Sequence, residues 1–370
     1  MDLLFYNRDM SRRPEGPLRR GWTTGACATA ATRAAYQALL TGRFPDPVTI
    51  TLPKGEQPAF ALAREQRGAD YALAGIVKDA GDDPDVTHGA LVVACVREAA
   101  RGSGVTFKAG DGVGVVTKPG LPVPVGEPAI NPAPRAMIQD AIAALAAEHG
   151  ASGDVEIEIS VPGGADLAAK TWNPRLGIAG GLSILGTTGV VVPYSCAAWI
   201  QSIHSGIDVA RANGLHHVAG CTGSTSERAV QALYGLPDAA MLDMGDFAGG
   251  LLKYLRRHPL PRLTIAGGFA KLAKLAAGHL DLHSGRSQVD MDALADLLGG
   301  LGAEAARVAE ARQANTANQV LALARDLGLP LADRIAAQAR TTALGLLDGE
   351  TAVEVLVFDR KGELVGRADG

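Results

Sequence analysis

The sequence predicts an α/β and α+β protein in two parts: an N-terminal mixed α+β domain, then a C-terminal α/β domain with a mostly parallel sheet. In the first half, several short strand-like segments accompany only two long helical patterns. In the second half, a strand, a glycine turn and a helix follow one another repeatedly, which is typical of a parallel sheet. We expect a flexible tail over 1–16, the α+β domain over 17–185 and the α/β domain over 186–370.

The N-terminal elements follow from caps and periodicity. Thr23 and Thr24 are candidate N-caps of an alanine-rich helix over 26–40, and Gly42 lies just past its end. A second helix, ending at Gly150, fits the apolar spacing of 135–149. The remaining patterns predict strands over 47–52, 71–78, 91–98, 104–110 and 155–162, and a hairpin over 111–121.

The C-terminal elements begin after a segment rich in Gly, Thr and Pro over 173–193, which we expect to connect the domains. Beyond it, strand and helix patterns alternate as βα units do. In order they are a helix over 195–213, a strand over 216–221, a helix from 226, a strand end over 239–245, a helix over 247–258, a strand and turn over 262–270, a helix over 271–278, long helical stretches over 290–310 and 315–344, and a strand pair over 353–366.

The composition excludes several classes of protein. A content of 47% hydrophobic residues supports a folded core and argues against disorder. A net charge of -4 and 4% aromatic residues argue against a nucleic-acid partner. No apolar run is long enough to span a membrane, and the N-terminus does not fit a signal peptide. The four cysteines, which form no CxxC pair, fit reduced thiols in a cytoplasmic protein: Cys27, Cys95, Cys196 and Cys221.

Glycine is in excess, at 46 of 370 residues, against a usual fraction of about 7%. Part of that excess lies in the stretch LRRGWTTGACATA. Glycine and hydroxyl residues at a helix start form an anion-binding surface, because backbone N–H groups converge there. A capped helix with a buried Cys27 is the simpler interpretation of the same residues.

An aspartate-rich loop follows one predicted strand. Four aspartates and a histidine lie within the ten residues 79–88. The same segment contains Gly81 and Pro84, so no helix or strand runs through it and it forms a loop. Crowded carboxylates raise one another's pKa, which suits a general base or a cation site. A solvated acidic turn is the alternative. The candidate catalytic residues are Asp79, Asp82, Asp83, Asp85 and His88.

Three glycine turns follow consecutive predicted strands of the second domain. Such turns at the carboxyl ends of parallel strands bind nucleotide-like ligands in open α/β sheets, although each alone fits an ordinary βα connection. Neither GxGxxG nor a Walker A motif is present. The candidate cofactor-binding residues are Gly220, Thr222, Gly223, Ser224, Thr225, Asp243, Gly245, Asp246, Gly267 and Gly268.

Together these motifs resemble the CbiD-type cobalt-precorrin-5B C1-methyltransferases of cobalamin biosynthesis. The resemblance extends from about Leu18 to the C-terminal strands, and it departs from the family pattern at VVVPYSCAAW (190–199). The segments that carry it are LRRGWTTGACATAA, KDAGDDPDVTHG, GDGVGVVTKPGLPVPVGEPAINPAPR, GLSILGTTGVV and AGHLDLHSGRSQVD.

The resemblance implies that S-adenosylmethionine donates a methyl group to C1 of a ring-contracted tetrapyrrole, cobalt-precorrin-5B or its metal-free counterpart, to give cobalt-precorrin-6A. Any cobalt belongs to the substrate, so no protein metal site is expected. Hand-over to other enzymes of the pathway and a homo-oligomer are further expectations. A nucleotide-binding phosphotransferase and a non-catalytic corrinoid carrier are the alternatives. With this activity, the residues expected to receive the substrate's carboxylates are Arg19, Arg20, Thr23, Thr24, Gly25, Lys118, Arg135, Thr187 and Thr188.

Overall fold

The computed structural model describes residues 16–369, and the chain divides into two compact units. Unit 1 is Met1–Ser195 and unit 2 is Cys196–Gly370. The predicted tail over 1–16 lies outside the described residues, apart from Gly16. The predicted fold class is confirmed: unit 1 holds a mixed sheet with helices, and unit 2 holds a mostly parallel sheet with helices.

Unit 1 contains short and long strands and three helices among its described residues. In chain order they are β1 (Gly21–Trp22), α1 (Thr24–Thr41), β2 (Val48–Thr49), β3 (Ala59–Phe60), β4 (Arg64–Arg67), β5 (Tyr71–Val77), β6 (Leu91–Glu98), β7 (Val105–Ala109), β8 (Val115–Val116), α2 (Pro132–His149), β9 (Val155–Ser160), α3 (Gly164–Ala168), β10 (Ile178–Ala179) and β11 (Val190–Val191).

The main sheet of unit 1 has the order β4-β5-β6-β9-β7, antiparallel except where β7 pairs with β9. Helices α1 and α2 supply side chains to the same core as this sheet. Alanines throughout α1 allow a close approach to its neighbours, and Thr24–Thr32 are all buried. The edge strand β4 has the sequence Arg-Glu-Gln-Arg, and all four residues are exposed.

Unit 2 alternates helices and strands up to its third strand, and five helices then precede its last two strands. In chain order they are α4 (Ala197–Ala212), β12 (His217–Cys221), α5 (Ser224–Tyr234), a single 3-10 turn (Asp238–Ala240), β13 (Met241–Asp243), α6 (Ala248–Arg257), β14 (Arg262–Gly268), α7 (Phe269–Ala276), α8 (Met291–Gly300), α9 (Ala305–Arg312), α10 (Ala317–Asp326), α11 (Leu331–Leu344), β15 (Ala352–Phe358) and β16 (Leu364–Ala368).

The sheet of unit 2 has the order β13-β12-β14-β15-β16. The first four strands are parallel and β16 is antiparallel to β15. From β12 the chain goes outward to β13 and then returns to the other side of β12 as β14. The strand order therefore reverses between β12 and β14, and ligands bind at the carboxyl ends of strands at such a point in open α/β sheets.

Two sequence predictions differ from the structure. The predicted hairpin over 111–121 is wrong, because Val115–Val116 pairs antiparallel with Ile178–Ala179, far along the chain. The stretches 290–310 and 315–344 each form two helices rather than one. The first break falls at Gly302 and the second at Gly328, and both have positive φ angles, of +103° and +65°.

Candidate active site

In unit 1, three separate glycine-containing segments meet through backbone hydrogen bonds. The N–H of Trp22 donates to the carbonyl of Asp79 at 2.7 Å, and that of Gly25 donates to the carbonyl of Leu185 at 2.9 Å. The N–H of Thr23 donates to the carbonyl of Gly189 at 3.0 Å. Three groups of predicted residues therefore lie at one place: the TTG motif (Thr23–Gly25), the aspartate loop, and Thr187 with Thr188. We call this place the loop junction (residues 19–25, 79–88 and 185–189).

Glycine makes this close approach possible. A Cβ atom at Gly21 would lie 2.0 Å from the carbonyl carbon of Ala80, and one at Gly186 would lie 2.3 Å from Oγ1 of Thr23. Gly186 also has a φ angle of +125°, a conformation that other residues rarely adopt. Thr23 caps α1 by accepting a hydrogen bond from the N–H of Ala26, so the capping interpretation of this motif is correct.

Asp79 and Asp82 bind Arg19. The guanidinium of Arg19 bonds both carboxylate oxygens of Asp79, and the backbone N–H of Arg19 donates to Oδ2 of Asp82 at 2.6 Å. The bond from Arg19, together with one from the N–H of Gly81, lowers the pKa of Asp79 to about 2. Asp79 is therefore an anion at neutral pH and is held by a cation.

Asp85 is paired with a buried lysine. Nζ of Lys78, a residue that is 1% exposed, lies 2.6 Å from Oδ2 of Asp85. Thr87 donates to Oδ1 of Asp85 from both its N–H and its hydroxyl. Burial alone would raise the pKa of Asp85, but the charge of Lys78 and these bonds lower it. Lys78, directly after β5, and Thr87 therefore both hold the part-buried carboxylate of Asp85 within the loop.

Asp83 differs from its neighbours. Its Oδ1 accepts a bond of 2.7 Å from the backbone N–H of Tyr194, and burial raises its pKa above the ordinary value of 3.8. Within residues 16–369 it makes no ion pair. Tyr194 has a φ angle of +57° and is the one non-glycine residue with positive φ in the described part of the chain. His88 accepts a bond from the N–H of Ala80 at Nδ1, so Nδ1 carries no proton in this arrangement.

The other predicted substrate residues of unit 1 have different surroundings. Arg20 pairs with Glu56 at 3.2 Å, and Thr188 donates to the carbonyl of Val190. Arg135 donates to Ile130 and Pro128 and pairs with Glu127, so its guanidinium is already bonded. The side chain of Lys118 packs beside Gly177, whose carbonyl accepts a hydrogen bond from the hydroxyl of Thr117. Thr187 is exposed at the junction.

In unit 2, the predicted glycine turns lie at the carboxyl ends of β12, β13 and β14. Gly223 precedes α5 and Gly268 precedes α7, and neither helix has a side-chain cap. A Cβ atom at either glycine would meet nothing within 4 Å. These two positions therefore face open space, and we call this place the strand-end crevice (residues 221–225, 243–246 and 266–268).

Polar groups hold the crevice together. Thr222 lies against Gly267, where a Cβ atom would be 2.5 Å from its Oγ1. Nζ of Lys271 donates to the carbonyl of Thr222 at 2.8 Å and lies 3.1 Å from Oδ1 of Asp246. The indole N–H of Trp199 donates to the carbonyl of Asp243.

The remaining predicted cofactor residues divide into two kinds. Gly220 faces the core, since its Cβ would lie 2.4 Å from a methyl group of Leu251, and Gly245 packs against Trp199. Ser224 and Thr225 begin α5. The first two therefore serve packing, whereas the helix-start residues border open space.

Sequence reasoning missed the two lysines that hold these places, Lys78 and Lys271. Lys78 comes directly after the apolar run YALAGIV, but a lysine at the end of a strand is exposed in most proteins, so its position gave no signal of burial. Lys271 carried no signal either.

The described residues contain neither a metal-binding cluster nor a membrane-spanning helix. Over residues 16–369, no group of three or more His, Cys, Asp or Glu side chains is placed to hold a metal ion. In the same range, every helix is too short or too polar to cross a membrane.

Comparisons with known proteins agree with the motifs. The CbiD family model matches residues 11–193, and the model of the CbiD C-terminal domain matches 281–369. A cobalt-precorrin-5B C(1)-methyltransferase of Paramagnetospirillum magneticum is 65% identical over 96% of this chain and 99% of that protein. One of Brucella anthropi is 63% identical over 95% of each chain.

A crystal structure of a cobalamin biosynthesis protein from Archaeoglobus fulgidus is also similar. It is 29% identical, covers 74% of this chain and 84% of that one, and gives a TM-score of 0.40. The family matches and the nearly full-length identities confirm the resemblance seen in the motifs: this chain belongs to the CbiD family.

Proposed function

We propose that this chain transfers a methyl group from S-adenosylmethionine to C1 of cobalt-precorrin-5B in cobalamin biosynthesis, which gives cobalt-precorrin-6A. The observation that carries the proposal is the 65% identity over 96% of the chain to a protein of that activity. It is an enzyme, a C-methyltransferase, and its substrate is a precorrin.

The strand-end crevice is our candidate for the cofactor site. Gly223 and Gly268 leave open space beside two adjacent strand ends, and the N-termini of α5 and α7, which have no side-chain cap, suit a carboxylate. Asp243, at the end of the neighbouring strand β13, is placed to accept bonds from ribose hydroxyls. When bound, S-adenosylmethionine supplies an electrophilic methyl carbon on a positively charged sulfur.

The loop junction is our candidate for the chemistry on the substrate. Because the methyl group is transferred as a cation equivalent, the methylated macrocycle gains one positive charge, and loss of a proton from the ring to a base then restores its charge. Among the aspartates of the loop, Asp79 and Asp85 are held by cations, and Asp82 is exposed and accepts the N–H of Arg19. Asp83 is half-buried and makes no ion pair with the described residues, so we assign it as the proton acceptor.

Apolar side chains around the same junction support substrate binding there. Val77, Leu185 and Val192 are about half-exposed, with exposed fractions of 52%, 46% and 49%. Val77 precedes the aspartate loop, Leu185 bonds the TTG motif, and Val192 lies two residues before Tyr194. Exposed apolar groups beside polar ones suit a flat, hydrophobic macrocycle with acidic substituents.

Positioning accounts for the rest of the reaction. When the protein holds a methyl donor and a carbon nucleophile in line, their reaction becomes effectively intramolecular. The effective molarity of one reactant toward the other then reaches about 10⁵ M or more. The rigid backbone crossings of the loop junction fit this need, since they leave little freedom for the groups they carry.

A ligand titration tests the proposal against the phosphotransferase alternative. By calorimetry, S-adenosylhomocysteine is expected to bind saturably, with a Kd in the micromolar range, whereas ATP with Mg²⁺ is expected to give no saturable heat. Binding of ATP without binding of S-adenosylhomocysteine would contradict the proposal. Methyl transfer to the precorrin, followed by mass spectrometry, separates the enzyme from a non-catalytic carrier.

A further inference from the structure

A surface cavity of about 310 Å³ lies beside the first two turns of α5. Its lining comes from two elements of unit 2. Thr225, Arg228 and Ala229 lie on one face of α5, and Lys361 and Gly362 belong to the turn between β15 and β16. A cavity of this size accommodates a small organic group rather than only a single ion.

The lining is positively charged. Arg228 and Lys361 supply two cations, and none of the five lining residues is acidic. Neither Arg228 nor Lys361 forms an ion pair with the residues that the structure describes, whereas Arg262 and Arg367 in the same unit both pair with Glu354. Lys361 has an acidic neighbour, Asp359, on its own turn, but no carboxylate lines the cavity, so the two cations favour an anionic ligand there.

The turn that carries Lys361 is rigid. Oδ1 of Asp359 accepts bonds from the N–H groups of Lys361 at 2.8 Å and Glu363 at 3.0 Å. The N–H of Gly362 donates to the carbonyl of Asp359, and the φ angle of Gly362 is +85°. Oδ2 of Asp359 lies 3.6 Å from the guanidinium of Arg325 on α10. The backbone at Lys361 is therefore fixed before any ligand arrives.

We infer that this cavity binds an oxyanion, a carboxylate or phosphate group on a small molecule, between Arg228 and Lys361, with the hydroxyl of Thr225 as a further donor. Guanidinium and ammonium groups form short, charge-assisted bonds to such oxygens. Of the five lining residues, only Thr225 also belongs to the strand-end crevice, and both cations lie outside it, so the inference goes beyond the proposed methyl transfer and does not depend on it.

The test is a titration of the full-length protein, followed by NMR or calorimetry at constant ionic strength, with inorganic phosphate in one arm and citrate in the other. Saturable binding in at least one arm is expected, and the tighter arm identifies the preferred group. Arg228→Gln and Lys361→Gln are each expected to weaken that binding by about three- to tenfold. Both side chains are on the surface, so the variants are expected to keep the fold, which circular dichroism checks.

Arg360→Gln is the matched control, since Arg360 is exposed on the same turn but does not line the cavity. It removes the same charge and is expected to leave anion binding unchanged. Equal weakening in the Arg360→Gln variant, or no saturable binding in either arm, would overturn the inference. Titration with S-adenosylhomocysteine separates the two sites: its affinity is expected to stay the same in Arg228→Gln, and a matching loss would assign the cavity to the cofactor's own carboxylate instead.

Discussion

Asp83 and its neighbour Asp82 carry the same functional group in different surroundings. Asp82 is exposed and accepts the N–H of Arg19, whereas Asp83 is half-buried and accepts the N–H of Tyr194. Tyr194 holds a φ angle of +57°, which costs of order 1–3 kcal/mol for a residue other than glycine. The backbone strain thus delivers one hydrogen bond to one oxygen of Asp83, and such an arrangement orients a base.

The Asp83→Asn variant tests this role. We expect kcat to fall by about 10²–10⁴-fold, the range for loss of a general base. Asp82→Asn is the control, because it removes the same charge one residue away, and its activity is expected to change little. Steady-state kinetics of methyl transfer measure both. Equal rates in Asp83→Asn and the parent protein would assign the proton to another group.

The pH dependence follows from the same burial. Burial raises the pKa of Asp83 above 3.8, and the base acts only when ionised. The value of kcat/KM is therefore expected to rise with pH through that raised pKa and to fall as the solution becomes more acidic. This acidic limb is expected in Asp82→Asn and is expected to disappear from the residual activity of Asp83→Asn.

Lys78 has a structural role that a stability measurement isolates. Lys78→Met removes the cation and leaves the Asp85 carboxylate, whose side chain is 25% exposed, without its partner, which is expected to cost about 1–3 kcal/mol in the free energy of unfolding. Adding Asp85→Asn to Lys78→Met is expected to restore part of that loss, since no buried charge then remains. Urea unfolding measures both. A double variant no more stable than Lys78→Met would contradict a charge-based explanation.

At the scale of elements, the sequence predicted best where the pattern is local. The strand over 91–98 is found with those bounds, and the helix over 135–149 is found with one added turn at Pro132. The strand at Val115–Val116 was mispredicted because its partner lies at Ile178–Ala179, and no local pattern reports a distant partner. The long helical stretches were overestimated because apolar spacing continues across Gly302 while its left-handed backbone ends the helix.

In the candidate sites, too, local patterns were predictable and distant contacts were not. Threonines, aspartates and glycines at predicted strand and helix ends indicated both the loop junction and the strand-end crevice. The burial of Lys78 could not be predicted, because a lysine at a strand end is exposed in most proteins and only the tertiary contact with Asp85 allows otherwise. The distinct surroundings of Asp83 depend on Tyr194, which is 111 residues away.

The start of α5 offers a direct test of the cofactor site. Gly223 has an extended backbone, with φ 166° and ψ 171°, which a valine adopts readily, and its Cβ direction is open. Gly223→Val is therefore expected to fold normally and to weaken S-adenosylhomocysteine binding by tenfold or more, because the new methyl groups occupy the crevice. Gly300→Val, which also has open space but lies at the end of α8, is the control. Calorimetry that shows unchanged affinity in Gly223→Val would place the cofactor elsewhere.

At the scale of the whole molecule, each unit has its own core and its own candidate site. The core of unit 1 lies between its sheet and α1 and α2, and that of unit 2 includes side chains from β12, β14 and β15 and from the helices that follow them. Because ligand binding stabilises the structure that forms the site, a ligand reports which unit holds it.

Hydrogen exchange in the presence of S-adenosylhomocysteine tests which of the two units binds the cofactor. Slower exchange is expected at 221–227 and 266–271 in unit 2, with little change over 76–90 in unit 1. Mass spectrometry of peptides from the full-length protein, with and without the ligand, gives the comparison. Protection confined to 76–90 would exchange the roles that we propose for the two places.

The charged edge of the unit 1 sheet has a consequence for the behaviour of the protein at high concentration. An edge strand exposes unpaired backbone groups that another copy of the chain can pair with, which leads to aggregation. The sequence Arg-Glu-Gln-Arg along β4 places charged side chains at both ends of that edge. This short segment thus helps to keep crowded molecules apart, and apolar substitutions at Arg64–Arg67 would make the chain prone to form insoluble aggregates during expression, even if its individual fold were unchanged.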